Sequence, residues 1–267
     1  FIDVDFDFFD PNPAVDYQAL KRLLVQLFQS DADNFCLHEL SELILSQPTV
    51  GTTIKTDGLE SDPFAFLTVL NMHVHHQHPS IKAIANYCLQ KSAIDPELHA
   101  TLQALFSQDQ HHVGFVFSER LINMPVQVVP PMYRMLSNEV KWAIDDVRHE
   151  PYTFSHLLFL SRTYHLTSDE ESALFNSAPS SKKSKRSKAP PAQHLDMESP
   201  PDGIYPFHPE DEYIKKFAIY SVDYTTAPAE LREKDAFGLD MRGRMMLVPA
   251  DRFPQLVEKM SEVYAVS

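Results

Sequence analysis

The chain has 267 residues, 43% of them apolar, a net charge of −14 and only two cysteines, Cys36 and Cys88. The length suits one large domain or two small ones with a full core. The acidic balance argues against general nucleic-acid binding, which needs clustered Lys and Arg, and the lack of an apolar run of about 18 residues excludes a membrane-spanning helix. Two cysteines make no disulfide framework and no Asn-x-Ser/Thr sequon occurs, so a reducing compartment is expected. A first residue that is not methionine leaves an upstream segment to be expected.

Phe1 to Asp10 alternates, with Ile2, Val4, Phe6 and Phe8 on one side and Asp3, Asp5 and Asp7 on the other, the pattern of a half-buried strand. Its Asp-x-Asp-x-Asp start lacks the glycine and terminal acid of a calcium loop. After Pro11 and Pro13, Asp16 is placed to cap a helix carrying Leu20, Leu23, Leu24, Leu27 and Phe28, and a second helix is expected from Leu37 to Gln47. Val50 to Gly58 reads as a strand running into an Asp-Gly corner, and Phe64 to Met72 as a second strand beside it. His73, His75, His76 and His78 have no cysteine or acid alongside and read as a loop rather than a zinc site. Helices follow at Ser80–Lys91 and Pro96–Ser107, the latter with Asp95 as cap and Pro96 in its first turn.

The stretch from His111 to Val147 is the organising element. Val113 to Phe117 is a short, fully apolar run suited to a central strand covered on both faces. A crossing with Pro125, Pro130 and Pro131 leads to a helix from Met132, with Leu136, Val140, Ala143 and Ile144 inward and Arg134, Glu139, Lys141 and Asp145 outward. A phosphate-binding crossing needs glycine-freed N–H groups, and prolines stand here instead. Tyr152–Leu160 reads as another buried strand, Lys216–Tyr224 and Met245–Val248 as two more, and Phe253 to Tyr264 as a closing helix.

Between Ser177 and Gly203, Ser, Pro and Lys dominate, which predicts a disordered insert at 177–203. Lys182, Lys183, Lys185, Arg186 and Lys188 within it suit a nuclear-import signal, and setting their five charges aside makes the rest of the chain still more acidic. The six glycines never form Gly-x-Gly, and the P-loop-like spacing of Gly238 and Gly243 is followed by Arg244 and Met245 where Lys and Ser or Thr are required. No nucleophile elbow, His-Glu-x-x-His or Cys-x-x-Cys is present, so no catalytic, cofactor or metal residues are expected.

Four blocks carry a resemblance: Val4 to Pro11, Val50 to Gly58 with Ser61-Asp62-Pro63, Ser118 to Gln127 with Pro130 to Tyr133, and Gly243 to Pro249. In this order the chain resembles the BCCIP family, and within it the shorter fungal type. The resemblance implies one α/β (α+β) domain over 1–267, with a central mixed, largely antiparallel sheet flanked by helices, similar to the GNAT acetyltransferases without their CoA-binding loop. It implies a non-enzymatic nuclear protein, shuttling to the cytoplasm, that shields a basic large-subunit ribosomal protein in ribosome biogenesis. Nuclear transport factors and a phosphatidylinositol phosphate kinase as export cargo are further implied partners, with no cofactor, no direct nucleic acid and no membrane. A divergent acyltransferase is the enzymatic alternative. Charge density marks Asp3, Asp5, Asp7, Asp57, Glu60 and Asp62, then Asp145, Asp146 and Glu150, as the acids to face a basic partner.

Overall fold

Near-continuous apolar runs in the central strands bury both faces of one sheet, which therefore needs a helical layer on each. The computed structural model describes residues 5–145, 152–167, 170–171, 200–227 and 240–264. In chain order the elements are β1 (Asp7–Phe9), α1 (Tyr17–Phe28), α2 (Leu37–Leu45), β2 (Thr52–Lys55), β3 (Ala65–Asn71), α3 (Pro79–Ser92), α4 (Pro96–Phe106), β4 (His112–Arg120) and α5 (Val129–Asp145). They continue with β5 (Phe154–His165), β6 (Ile204–Pro206), α6 (Asp211–Phe217), β7 (Tyr220–Thr225), β8 (Asp240–Pro249) and α7 (Phe253–Val263).

The strands form one sheet in the order β1-β2-β3-β4-β5-β8-β7, with β6 beside β5. Every pairing is antiparallel except β4 with β5, joined by the α5 crossover. Phe115, Phe117, Leu158 and Leu160 face α1 to α4, whereas Val116, Leu157 and Phe159 face α5 and α7. Gly114 lies where β3 and β5 crowd β4: a Cβ there would come 2.8 Å from Val69 and 2.9 Å from Leu157. The mixed, largely antiparallel sheet agrees with the expected architecture.

Several local expectations are corrected. Lys216–Tyr224 is not one strand, because α6 runs to Phe217 before β7 begins at Tyr220. Asp211 and Glu212 in its first turn and Lys215 and Lys216 in its last suit the helix dipole, and Ile214 is its buried anchor. The helix α5 starts at Val129, before Met132, since prolines in a first turn forfeit only N–H groups that a helix leaves unpaired. Asp16 gives α1 no side-chain cap; its carboxylate accepts the Lys55 ammonium at 2.6 Å and the Asn12 N–H at 2.8 Å, with both Lys55 and Asp16 side chains fully buried. Glu139 turns inward, where it accepts the Gly51 N–H at 2.9 Å. Burial raises its carboxyl above the usual range.

Candidate functional site: an opening in the sheet

Parallel strands joined by a crossover create the switch point where α/β proteins bind ligands, beyond the strands' C-terminal ends. Here β4 and β5 pair only from His112 to Val116 and from Phe154 to Phe159. The last four residues of β4 and the last six of β5 then diverge. On its far edge β5 stays paired to β8 as far as His165. The near edge is taken by β6, with Thr163, Tyr164 and His165 opposite Pro206, Tyr205 and Ile204. The chain's own strand therefore lies in the opening.

The continuation of β6 crosses the sheet. Alternation sets Glu119 with Phe117 and Arg162 with Leu160, on the α1–α4 face, and Arg120 with Val116 on the α5 face. On the first face, Arg162 donates to both Glu119 oxygens, at 2.8 and 3.1 Å, and stacks on the Phe207 ring at 4.5 Å. His208 Nε2 lies 2.6 Å from Glu119 Oε1. On the second face, Arg120 makes a two-pronged pair with Glu210. Arg244 holds Asp223 at 2.8 Å and Glu212 at 2.6 Å. The segment from Ile204 to Phe217 is thus a strap tied to both faces.

Burial would lift the Glu119 carboxyl, but His208 and Arg162 outweigh it and hold the group at about 2. Asp211 has the opposite balance. Burial first and the adjacent Glu210 second raise its carboxyl well above the usual range, against the pull of Arg244 and Arg120. Arg120 Nε, Asp211 Oδ2 and the Tyr264 hydroxyl have no hydrogen-bond partner among the described residues.

The donors a phosphate would need at this end are scarce. Pro130 and Pro131 occupy the first turn of α5 and offer no N–H. In the preceding crossing the N–H groups of Leu121, Met124 and Val128 already donate to Phe64, Leu121 and Pro125 carbonyls. Arg244, beyond the failed P-loop spacing, is buried in ion pairs.

The structure brings some of the marked acids together and separates others. Asp7 lies opposite Lys55, and this antiparallel register carries Asp5 towards Asp57. Asp57, Glu60 and Asp62 sit on the connection after β2, which Lys55 pins by donating to the Leu59 carbonyl at 2.6 Å. Asp5, Asp7, Asp57, Glu60 and Asp62 are exposed, and Asp62 pairs with Arg22 at 2.6 Å. This acidic corner adjoins the opening, because Ala65 pairs with Arg120. Asp145 is elsewhere: it ends α5, which returns to the level where β5 begins, at the other end of the sheet. Asp3, Asp146, Glu150, Lys182, Lys183, Lys185, Arg186 and Lys188 lie outside the described residues, as does the 177–203 insert apart from the turn at its end.

The histidine run forms turns, and His73 is held on both sides, with Nδ1 accepting the Val113 N–H at 3.1 Å and Nε2 donating to the Leu105 carbonyl at 2.9 Å. Among the described residues no group of three or more His, Cys, Asp or Glu could hold a metal ion. Elsewhere an apolar cavity of 330 Å³ opens under α5, between Val140, Ile144, Phe154 and Phe253.

The residues of the opening were not singled out from sequence. Their signal was present in Glu119-Arg120, Arg162 and Arg244, charged residues embedded in otherwise apolar strands, which demand buried partners.

Comparison with known proteins gives a consistent result. The family model described as BCCIP matches residues 1–214. The protein bcp1 of Schizosaccharomyces pombe is 41% identical over 99% of this chain and 91% of its own length. BCP1 of Yarrowia lipolytica is 42% identical over 99% of this chain and 83% of its own. The crystal structure of BCP1 from Saccharomyces cerevisiae superposes with a TM-score of 0.66 at 25% identity, covering 99% of this chain and 91% of that one.

Proposed function

As the chain belongs to the BCCIP family, we propose that it works without catalysis as a nuclear chaperone that shields a basic large-subunit ribosomal protein and supports ribosome biogenesis. The observation that carries this reading is the pairing of a sheet opening filled by the chain's own strand with a cluster of exposed acids beside it. An α/β enzyme would use that opening for its ligand; here β6 and ion pairs fill it. The acids Asp5, Asp7, Asp57, Glu60 and Asp62 offer a cationic client a steering field, reinforced by a whole-chain charge of −14. The basic run from Lys182 to Lys188 suits nuclear import, with return to the cytoplasm by transport factors.

A second reading, an adaptor for export of a phosphatidylinositol phosphate kinase, is favoured by the apolar cavity under α5, which offers an anchor independent of charge.

Calorimetry of the purified protein against a basic large-subunit ribosomal protein, at low and high salt, tests the proposal, with acetyl-CoA titrated in parallel. Tight binding that weakens steeply with salt, and no heat from acetyl-CoA, is the expected result. Binding that ignores salt would favour the apolar docking mode. Acetyl-CoA binding without client binding would sink the chaperone and restore the acyltransferase.

A further inference from the structure

The strap carries more acid than its surroundings can neutralise. Facing the opening from β4, β5, β7, β8 and α6 are Glu119, Glu210, Glu212 and Asp223 against Arg120, Arg162 and Arg244. His208 is held against Glu119, and Tyr133 from α5 and Tyr264 after α7 bring no positive charge. A fifth carboxylate, on the buried Asp211, would stand uncompensated beside Glu210, and such a charge inside a protein is far more costly than a neutral acid. The unpartnered atoms Asp211 Oδ2, Arg120 Nε and the Tyr264 hydroxyl lie in residues each more than nine-tenths buried. The strap also holds the opening chiefly by ion pairs and a three-residue strand. Buried ion pairs define a position more than they stabilise it.

We propose that the strap Ile204–Phe217 is a proton-linked latch, closed on the sheet opening with a proton held at Asp211 and opening as a unit when that proton leaves. Opening frees the edge of β5 from Thr163 to His165 and uncovers Glu119, Arg120 and Arg162. The sign follows from the raised carboxyl of the closed state. In the open strap Asp211 returns to the ordinary range near ~3.9. Closure is therefore most favoured at low pH on this account and is lost as pH rises through the closed-state value. Between the two values the opening equilibrium grows about tenfold per pH unit for one proton.

Hydrogen exchange of strap peptides, corrected for the intrinsic pH dependence of exchange and referenced to β3 peptides, tests this from pH 4 to 7.5. The wild type is expected to show strap opening that rises about tenfold per pH unit above the open-state value and levels off once the closed-state value is passed, while β3 stays protected. Asp211→Asn, which copies the shape of the neutral acid, is expected to hold the strap closed and remove the slope. His208→Gln is expected to loosen the strap at every pH and keep the slope. A flat wild-type profile, an unchanged slope in Asp211→Asn, loss of the slope in His208→Gln alone, or an Asp211→Asn chain that fails to fold would each overturn the latch.

Discussion

Two charged regions meet at one end of this sheet and obey opposite rules. In the acidic corner, Asp57, Glu60 and Asp62 stand in water, where each ion is well solvated and its interactions are screened. In the opening, Glu119, Arg120, Arg162 and Glu210 are almost fully buried, and each has an oppositely charged partner within hydrogen-bond distance. The corner is free to act on another molecule, while the opening is committed to its own chain. Charge that can be substituted at little cost belongs to recognition, and charge that cannot belongs to architecture.

The sharpest way to break this contrast is to orphan a buried ion. Arg120→Ala strands Glu210 inside the protein, and removal of one partner from such a pair costs about 3–5 kcal/mol. Urea denaturation is expected to show that loss, and the double substitution Arg120→Met with Glu210→Leu to recover most of it. A single substitution that costs less than about 1 kcal/mol, the range of an exposed pair, would place the opening in the same class as the corner.

Acid separates the regions next. Glu119 sits at about 2 in the folded chain, below the ~4.3 of an unfolded glutamate. Its contribution is full above the unfolded value and disappears as pH falls from there towards 2. Acid unfolding followed by circular dichroism is expected to begin within that window and to flatten in Glu119→Gln, which is less stable at neutral pH. A Glu119→Gln chain with an unaltered acid limb would mean that other carboxylates govern it.

The same division explains what was legible in the sequence. Near-continuous apolar runs marked β3 and the core of β4, apolar periodicity marked α3, and Asp95 and Pro96 announced the start of α4 by residue type alone. The exposed acids could be found because charge density is a local property. The opening could not, since Glu119 meets His208 and Arg120 meets Glu210 only after the chain has passed through α5 and β5. Asp16 misled for the same reason: its position before a helix predicts a cap, but a lysine 39 residues away claims its carboxylate. The short α6 was hidden by Phe217 to Tyr224, whose apolar and aromatic content suits a strand, because the local pattern does not say where a seven-residue helix hands over.

The smallest expected effect on stability is the one that bears most on function. Asp57→Asn, Glu60→Gln and Asp62→Asn together remove three exposed charges, and among the described residues only Asp62 has an ion-pair partner, Arg22, itself solvent-exposed. Substitutions of this kind lie within about 0.5 kcal/mol each, so the denaturation midpoint should scarcely move. Binding of a basic ribosomal protein should respond differently, because charges at the rim of an interface act mainly on the rate of encounter and its dependence on salt. Stopped-flow association is expected to slow in the triple variant at low salt, to converge with the wild type at high salt, and to leave dissociation nearly unchanged. Neutralisation of Asp145, a single charge at the far end of α5, is the internal control and should leave the rate alone. If Asp145→Asn slows association as much per charge removed as the triple variant does, the client reads the overall charge of the molecule and the corner has no special part.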